Sequence, residues 1–327
     1  MVTTTGKSTF RARWMLPGYT ALALAASSGI AGAAPCDQIV VFGTSLSDPG
    51  NAFVLNGGTN VPPDYSVDPF LIPDKPYARG GHHFSNGATW IEQFAASVGM
   101  AASTQPAFRA ANLGATNFAV AGARANDDGR NVNLSDQVEA FLEQCDGVAS
   151  SDALYVVEMG ANDIRDALVV FAGGGNGAGV IQNALLSIAT HISLLHAKGA
   201  RHFLVANAPN IGLTPAIRRL DVLTPGAAQL VHQLTIGFNS GLSAVLGQLS
   251  VLPGIQIRWL DRYQTLNQIV NDPVAFGLAN VTAACITPDE APFVCDQPDQ
   301  FLFWDGLHPT RAAHTIVAQQ TAVVVTQ

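Results

Sequence analysis

The sequence predicts an α/β fold of the flavodoxin-like, doubly wound type, with about five parallel strands in the order 2-1-3-4-5 inside a three-layer α/β/α arrangement. Three observations predict it. Short runs rich in β-branched and aromatic residues alternate along the chain with longer segments of helical period. The runs are almost continuously apolar, as in strands covered on both faces, and several stop abruptly at glycine and small polar residues. With 48% hydrophobic and 12% charged residues, the 327-residue chain can bury a large core and has the balance of neither a disordered nor a nucleic-acid-binding protein.

Residues 1–33 read as an export signal. Lys7, Arg11 and Arg13 make a basic start, Met15 to Ala31 a mildly apolar stretch, and Ala31-Gly32-Ala33 a small-residue cleavage site. The mature chain is expected to begin near Ala34, to form a single domain over 34–327, and to work in a secreted or periplasmic location. An uncleaved membrane anchor is the rival reading, disfavoured because Gly, Ser and Thr dilute the stretch. A lipid-anchored Cys36 is disfavoured by Pro35 directly before it. Removal of the leader takes away three basic residues and no acidic one, so the net charge goes from −8 to −11. No basic face remains for phosphate backbones, and no nucleic-acid partner is expected.

Ile39 to Phe42 is the first strand, followed by Gly43-Thr44-Ser45. Open α/β sheets bind ligands at the carboxyl ends of their strands, which makes Ser45 the first nucleophile candidate; an ordinary Ser/Asp/Pro/Gly turn is the alternative. The stretch from Asn51 to Gly87, rich in Gly, Pro, Asn and Asp, reads as a surface excursion above the sheet edge. Its Phe53, Tyr65, Phe70, Tyr77, His82 and Phe84 are expected to line the substrate site and select substrates without taking part in bond breaking. His82 and His83 lack a third ligand at metal spacing, so loop packing or solvation is expected there and no metal.

Thr89 to Val98 has a helical period, and Asn117 to Val120 reads as the second strand, ending in Ala121-Gly122-Ala123. Leu134 to Leu142 reads as a helix and Ala153 to Val157 as the third strand, which ends at Met159-Gly160-Ala161-Asn162-Asp163. A long helix from Val180 to Ala197 is stopped by Gly199, and His202 to Ala206 is the fourth strand. Val231 to Leu249 marks another long helix, Ile255 to Leu260 the fifth strand, and a final helix runs from about Thr310 to Val324.

In the order 2-1-3-4-5 the first and third strands are neighbours, so Ser45 and Asn162 end side by side. Cys36 and Cys145 then lie near the opposite ends of those two strands, which pairs them, while Cys285 and Cys295 close a short loop. No C-x-x-C pair or Cys/His cluster occurs, so two disulfides are expected in an exported chain; four buried thiols are the alternative.

Near the end, Asp305-Gly306-Leu307-His308-Pro309 sets a carboxylate three residues before an imidazole. Asp305 can accept the Nδ1 hydrogen of His308 while Nε2 faces a serine. Alone, such a turn reads more readily as a helix-capping Asp and a structural His. Its meaning changes when a serine after strand one, a glycine after strand two and G-x-N-D after strand three project from the same sheet edge.

Through these blocks the chain resembles the SGNH, or GDSL-type, hydrolase family: Phe42-Gly43-Thr44-Ser45-Leu46-Ser47-Asp48-Pro49-Gly50-Asn51, Asn117 to Ala123, Gly160-Ala161-Asn162-Asp163 and Asp305 to Pro309, in that order. Phe84-Ser85-Asn86-Gly87 and Asn207-Ala208-Pro209-Asn210-Ile211-Gly212 look like its secreted bacterial lipase and esterase branch. Thr44 departs from the family motif, which has Asp there, and the change bears on turn geometry rather than on the triad. The G-x-S-x-G elbow of α/β-hydrolases is absent.

The resemblance implies Ser45 as nucleophile, His308 as general base and then acid, and Asp305 as its orienting partner. It implies an oxyanion hole made by the backbone N–H groups of Ser45 and Gly122 and the side-chain amide of Asn162. It also implies an exported carboxylic-ester hydrolase, without cofactor or metal, acting on lipid, lysophospholipid or short-chain esters. A monomer is expected, with transient contact at a membrane surface left open. Polysaccharide O-deacetylation, acyl transfer to an alcohol, and a catalytically silent binding protein on the same scaffold are the alternatives.

Overall fold

Ile39–Gly43 forms β1, and all five of its residues are buried. In the computed structural model, which describes residues 38–65, 70–109, 114–288 and 291–326, this strand sets the register for everything that follows. The described residues all fall within the unit Ala33–Gln327. Residues 1–33 and Cys36 lie outside them.

β1 pairs in parallel with β2 (Leu154–Glu158), β2 with β3 (His202–Ala206) and β3 with β4 (Gln256–Leu260), giving a sheet in the order β1-β2-β3-β4. Gly43 lies opposite Glu158, so both strands end at the same level. The segment expected as the second strand flanks β1 on its other side, in the place the order 2-1-3-4-5 assigns to it. It forms only isolated parallel bridges, Asn117 to Val41 and Asn117 to Pro106. Phe118 N–H donates to Val41 O at 2.8 Å and Val120 N–H to Gly43 O at 3.1 Å. The Asn51 amide donates to the carbonyls of Asn117 and Ala119 at 2.7 and 2.9 Å. The Asn117 carbonyl also accepts the Ala107 N–H at 3.1 Å, so backbone pairing beyond this segment is confined to one residue.

Alternation of side chains divides the core. Val40, Phe42, Tyr155, Val157, Phe203 and Val205 face α3 (Leu134–Gln144), α4 (Ala161–Ala172), α5 (Gly177–Ala197) and α7 (Ala227–Leu249). Ile39, Val41, Val156 and Leu204 face α2 (Trp90–Ser97) and α9 (Arg311–Thr326). Three layers result. α2 starts on a Thr89/Glu92 capping box and α3 on an Asn133/Asp136 one, in which the carboxylates accept the N–H groups of Thr89 and Asn133, both at 2.8 Å.

The elements absent from the sequence reading are short or polar. They are α1 (Asn51–Leu55) at the head of the expected irregular stretch, α6 (Pro215–Leu223), α8 (Arg262–Asn271), and a second, two-stranded parallel sheet of β5 (Asn280–Ala284) and β6 (Phe301–Phe303). α4 was also missed, although it begins at the G-x-N-D block. A disulfide joins Cys285 to Cys295 just after β5. Cys145 is also disulfide-bonded; its expected partner is outside the described residues.

Candidate active site

Beyond β1 the chain turns at Thr44-Ser45, and the turn is fixed from below by Glu158 at the end of β2. The Glu158 carboxylate accepts the Thr44 N–H at 3.2 Å, the Thr44 hydroxyl at 3.0 Å and the Ser47 hydroxyl at 3.1 Å. It is 2% exposed and ion-paired with buried Arg262, whose Nη1 is 3.1 Å from Oε1. Trp90 Nε1 donates to the Ser47 hydroxyl at 3.0 Å. The neighbouring strand thus brings a carboxylate under the position where the family motif carries its own. Neither Glu158 nor Arg262 was singled out in the sequence.

Asp48, fully buried, ties this turn to the next. Its carboxylate accepts the N–H groups of Gly50 at 2.8 Å, Asn51 at 2.6 Å, Ala52 at 3.1 Å and Ala121 at 2.9 Å. Burial pushes its pKa up, the four N–H groups pull it down, and the balance lies at about 6.

The turn after β6 presents Asp305 and His308. Asp305 Oδ1 accepts the N–H groups of Leu307 and His308, both at 2.8 Å, which folds the turn back on its own carboxylate. His308 Nδ1 lies 2.9 and 2.8 Å from the two Asp305 oxygens, and Nε2 lies 2.9 Å from Ser45 Oγ. Asp305 is fully buried and Ser45 half-buried. Ser45 and the Asp305/His308 turn, 263 residues apart along the chain, therefore stand in hydrogen-bonding order.

One further partner was not foreseen in this role. Tyr77, in the long loop, donates its hydroxyl to Asp305 Oδ2 at 2.9 Å and hydrogen-bonds to the Tyr65 hydroxyl. Burial, then the charge of Asp305, hold the Tyr77 phenol above its ordinary pKa, so it remains a donor. Its ring packs edge-on against Trp304 at 5.7 Å. The loop expected only to select substrates thus touches the Asp–His pair itself.

Gly122 and Asn162 complete the rim. Gly122 has φ +82, a left-handed conformation that a side chain would strain, and the Asp48 bond to Ala121 N–H fixes the residue before it. Gly160, at φ +112, lets the chain leave β2 for α4; a Cβ there would overlap the Phe238 ring. Asn162 follows in the first turn of α4, 8% exposed, with one amide N–H donated to Ala123 O at 2.8 Å. Its neighbour Asp163 accepts the N–H groups of Ala125 and Asn126, both at 3.0 Å, and burial raises its pKa against them.

Ser45, Gly122, Asn162 and His308 line one cavity of about 170 Å³, roughly ten times what a single water requires. Most of its remaining wall is apolar, and Phe84 of the long loop belongs to it. His82 stacks on Phe53 at 3.6 Å, while His83 pairs with Glu92 at 2.8 Å. Among the described residues no group of three His, Cys, Asp or Glu side chains is placed to hold a metal ion.

A serine hydroxyl on an imidazole that is itself held by a carboxylate, beside a backbone N–H and an amide, is arranged for acyl transfer. Comparison with known proteins points the same way. The profile of the family described as "GDSL-like Lipase/Acylhydrolase" matches residues 39–321. Among curated relatives, GDSL esterase/lipase At2g04570 of Arabidopsis thaliana is 29% identical over 181 residues, 51% of this chain and 52% of that one, so that alignment spans about half of the relative. Two others from the same plant align at greater length: At1g28570, 25% identical over 86% of this chain and 84% of its own, and At5g41890, 27% identical over 85% and 87%. These relatives are plant proteins, where the sequence blocks looked like the bacterial branch. Solved structures with a similar course include protein YXIM_BACsu from Bacillus subtilis, with TM-score 0.43, 13% identity and coverage of 88% of this chain and 56% of that one. An extracellular lipase from Streptomyces rimosus has TM-score 0.40, 12% identity and coverage of 88% and 99%. The chain belongs to the GDSL-like lipase/acylhydrolase family and is a carboxylic-ester hydrolase.

Proposed function

We propose that Ser45, His308 and Asp305 are the catalytic triad of an exported hydrolase that cleaves lipid or short-chain acyl esters through an acyl-serine intermediate. The contact that carries this reading is Ser45 Oγ to His308 Nε2 at 2.9 Å, with His308 Nδ1 held on Asp305 at 2.8 Å.

As Ser45 Oγ bonds to the ester carbonyl carbon, its proton passes to His308 Nε2 and the carbonyl electron pair moves onto oxygen. The N–H groups of Ser45 and Gly122 and the free amide N–H of Asn162 stabilise that oxyanion, each worth roughly 3 kcal/mol of barrier in comparable sites. Collapse breaks the bond to the alcohol, which leaves with the proton from His308. Water then repeats both steps on the acyl-serine and restores the hydroxyl. Asp305 keeps the imidazole in the tautomer that presents an acceptor to Ser45.

The apolar wall supports a hydrocarbon acyl group over a sugar-linked acetate. The disulfide at Cys285–Cys295 and the leader-like first 33 residues support export. The test is a chain-length series of p-nitrophenyl esters beside a lysophospholipid and an acetylated sugar. Turnover of the acyl esters well above the acetylated sugar is expected; a preference for the sugar would replace this reading with deacetylation, and transfer to added alcohol in place of hydrolysis would replace it with acyl transfer.

A further inference from the structure

Two helices that help to wall the cavity of Ser45 and His308 end in uncharged, exposed tips. α4 contributes Asn162 and Arg165 to that wall, and Thr214, the N-cap of α6, contributes another part. At the end of α4, Val169, Val170 and Phe171 are 70, 37 and 54% exposed, and the exposed run continues to Asn176. At the end of α6, Val222 and Leu223 are 81 and 66% exposed, and the run continues to Gly226. Neither run, 169–176 or 222–226, contains a charged residue.

The two tips stand at one end of α7. Asn239 of α7 is bound through its amide to the N–H and carbonyl of Ala208, just past β3, at 3.0 and 2.9 Å. α7 then runs back to the start of β4, so its twelve residues before Asn239 extend beyond the carboxyl edge of the sheet, by about 18 Å. A Cβ on Gly160, at the head of α4, would meet Phe238 of α7, and one on Gly241 would meet Leu185 of α5. A Cβ on Gly177, at the head of α5, would meet the Ala167 carbonyl and Phe171. These contacts are met together when α4 runs outward, antiparallel to α7, and α5 returns beside it. Phe171 then lies about 14 Å outward from Asn162, level with the start of α7. α6 reaches that same start through the turn 224–226, where Asp221 Oδ1 accepts the N–H groups of Gly226 and Ala228 at 3.0 and 2.9 Å. Both α4 and α6 pack on α7, so at ordinary helix spacings the tips lie within about 20 Å of each other.

We propose that the tips of α4 and α6 seat the protein on the surface of a zwitterionic phospholipid assembly, with Phe171, Val222 and Leu223 inserted among the acyl chains. The inference deepens the lipid-ester reading above and rests on it. Single exposed apolar side chains are ordinary, but five gathered on two neighbouring tips, at the sheet edge that carries Ser45 and His308, form a patch beside the place where the ester must arrive. Arg218 and Val222, and Arg219 and Leu223, are four apart on α6 and so share a face, each guanidinium about 6 Å closer to the cavity end of the helix. That is the order in which phosphate and hydrocarbon lie at a lipid surface. Asp221, the acidic residue of α6, is turned to the N–H groups of α7. The acidic chain, −8 overall, favours a zwitterionic surface over an anionic one. Two helix ends fall short of the about 800 Å² per partner of a stable protein interface, whereas a fluid lipid surface needs no complementary shape.

Binding is measured by sedimentation with phosphatidylcholine vesicles, on Ser45→Ala protein so that no lipid is consumed. The protein should pellet with the vesicles, and Phe171→Ser/Val222→Ser/Leu223→Ser should lower its partition coefficient by about tenfold or more. With Ser45 in place, the same triple change should leave kcat/KM on p-nitrophenyl acetate, a dissolved ester, within about twofold. On p-nitrophenyl palmitate dispersed in the vesicles it should lower the rate by about fivefold or more. If the triple variant does not fold, Val222→Ser/Leu223→Ser should lower the partition coefficient by about threefold or more. Absence of binding, a partition unchanged by the variants, or equal losses on the two esters would each overturn the proposal. So would a dimer in sedimentation velocity that the triple change dissociates, which would assign the patch to a second copy of the chain. Failure on vesicles beside intact turnover of p-nitrophenyl acetate sinks this proposal alone; absence of that turnover sinks the ester-hydrolase reading.

Discussion

Tyr77 and Asp305, 228 residues apart, are joined by a 2.9 Å hydrogen bond from the phenol to Oδ2, the oxygen that also stands 2.8 Å from His308 Nδ1. The phenol shares the negative charge that the imidazole must feel, and it restrains the carboxylate that orients the ring. Tyr77→Phe keeps the packing on Trp304 and removes only the donor. It should lower kcat on a small acetate ester by about three- to thirtyfold with KM within about twofold, because the bond acts on the transition state through His308. An unchanged kcat would return the loop to a purely selective role.

In the proposed mechanism Asn162 is the third oxyanion donor, and one N–H of its amide is tied to Ala123 O. Asn162→Ala should reduce kcat by about two to three orders of magnitude while costing about 1 kcal/mol of stability for the lost bond. Steady-state kinetics beside thermal unfolding separate the two effects. A folded variant with wild-type kcat would remove Asn162 from the oxyanion hole.

Thr44 occupies the motif position of an aspartate, directly on Glu158. Restoring the family residue should harm this protein: Thr44→Asp sets a second carboxylate against a buried one, and one of the two must take up a proton or separate. A loss of about 2–4 kcal/mol, several degrees in Tm, is expected, with at least half recovered in Thr44→Asp/Glu158→Gln. An unchanged Tm in the single variant would mean that Glu158 does not hold the turn.

Asp48 couples the nucleophile turn to the Gly122 segment, and its pKa, raised by burial to about 6 from 3.8, makes a signed prediction for stability. Between about pH 4 and 6 the folded protein holds a proton that the unfolded chain has lost, so stability from this group falls as pH rises through that window. In Asp48→Asn that slope is absent. The unfolding free energy of the wild type relative to the variant, from urea titrations, should drop by about 2 kcal/mol from pH 4 to pH 6. A relative gain over the same range would mean that the four N–H groups outweigh burial and the carboxyl pKa is depressed.

Much of this fold could be read from the sequence where hydrophobic period was strong. His202–Ala206 and the core faces of α5 and α7 are runs that fit one element type only. Elements with diluted patterns were missed: α8 begins Arg-Tyr-Gln-Thr, and β5 carries Asn280 and Thr282. The segment from Asn117 to Val120 has strand composition and strand placement, yet the Asn51 side chain, remote in sequence, takes the carbonyls of Asn117 and Ala119. In the site, Ser45 and Asn162 were legible because each follows a run of strand composition, and Asp305 and His308 because they stand three apart in one short turn. Glu158, Arg262 and the Tyr77 contact were not, because their meaning lies in pairs separated by about a hundred residues or more, which no spacing rule encodes.

The central claim is that Ser45 is the nucleophile, and the most direct measurement is labelling of the purified protein with a fluorophosphonate probe followed by peptide mass spectrometry. One adduct on Ser45 is expected, absent from Ser45→Ala together with esterase activity. An adduct on Ser47, or wild-type activity in Ser45→Ala, would contradict the account.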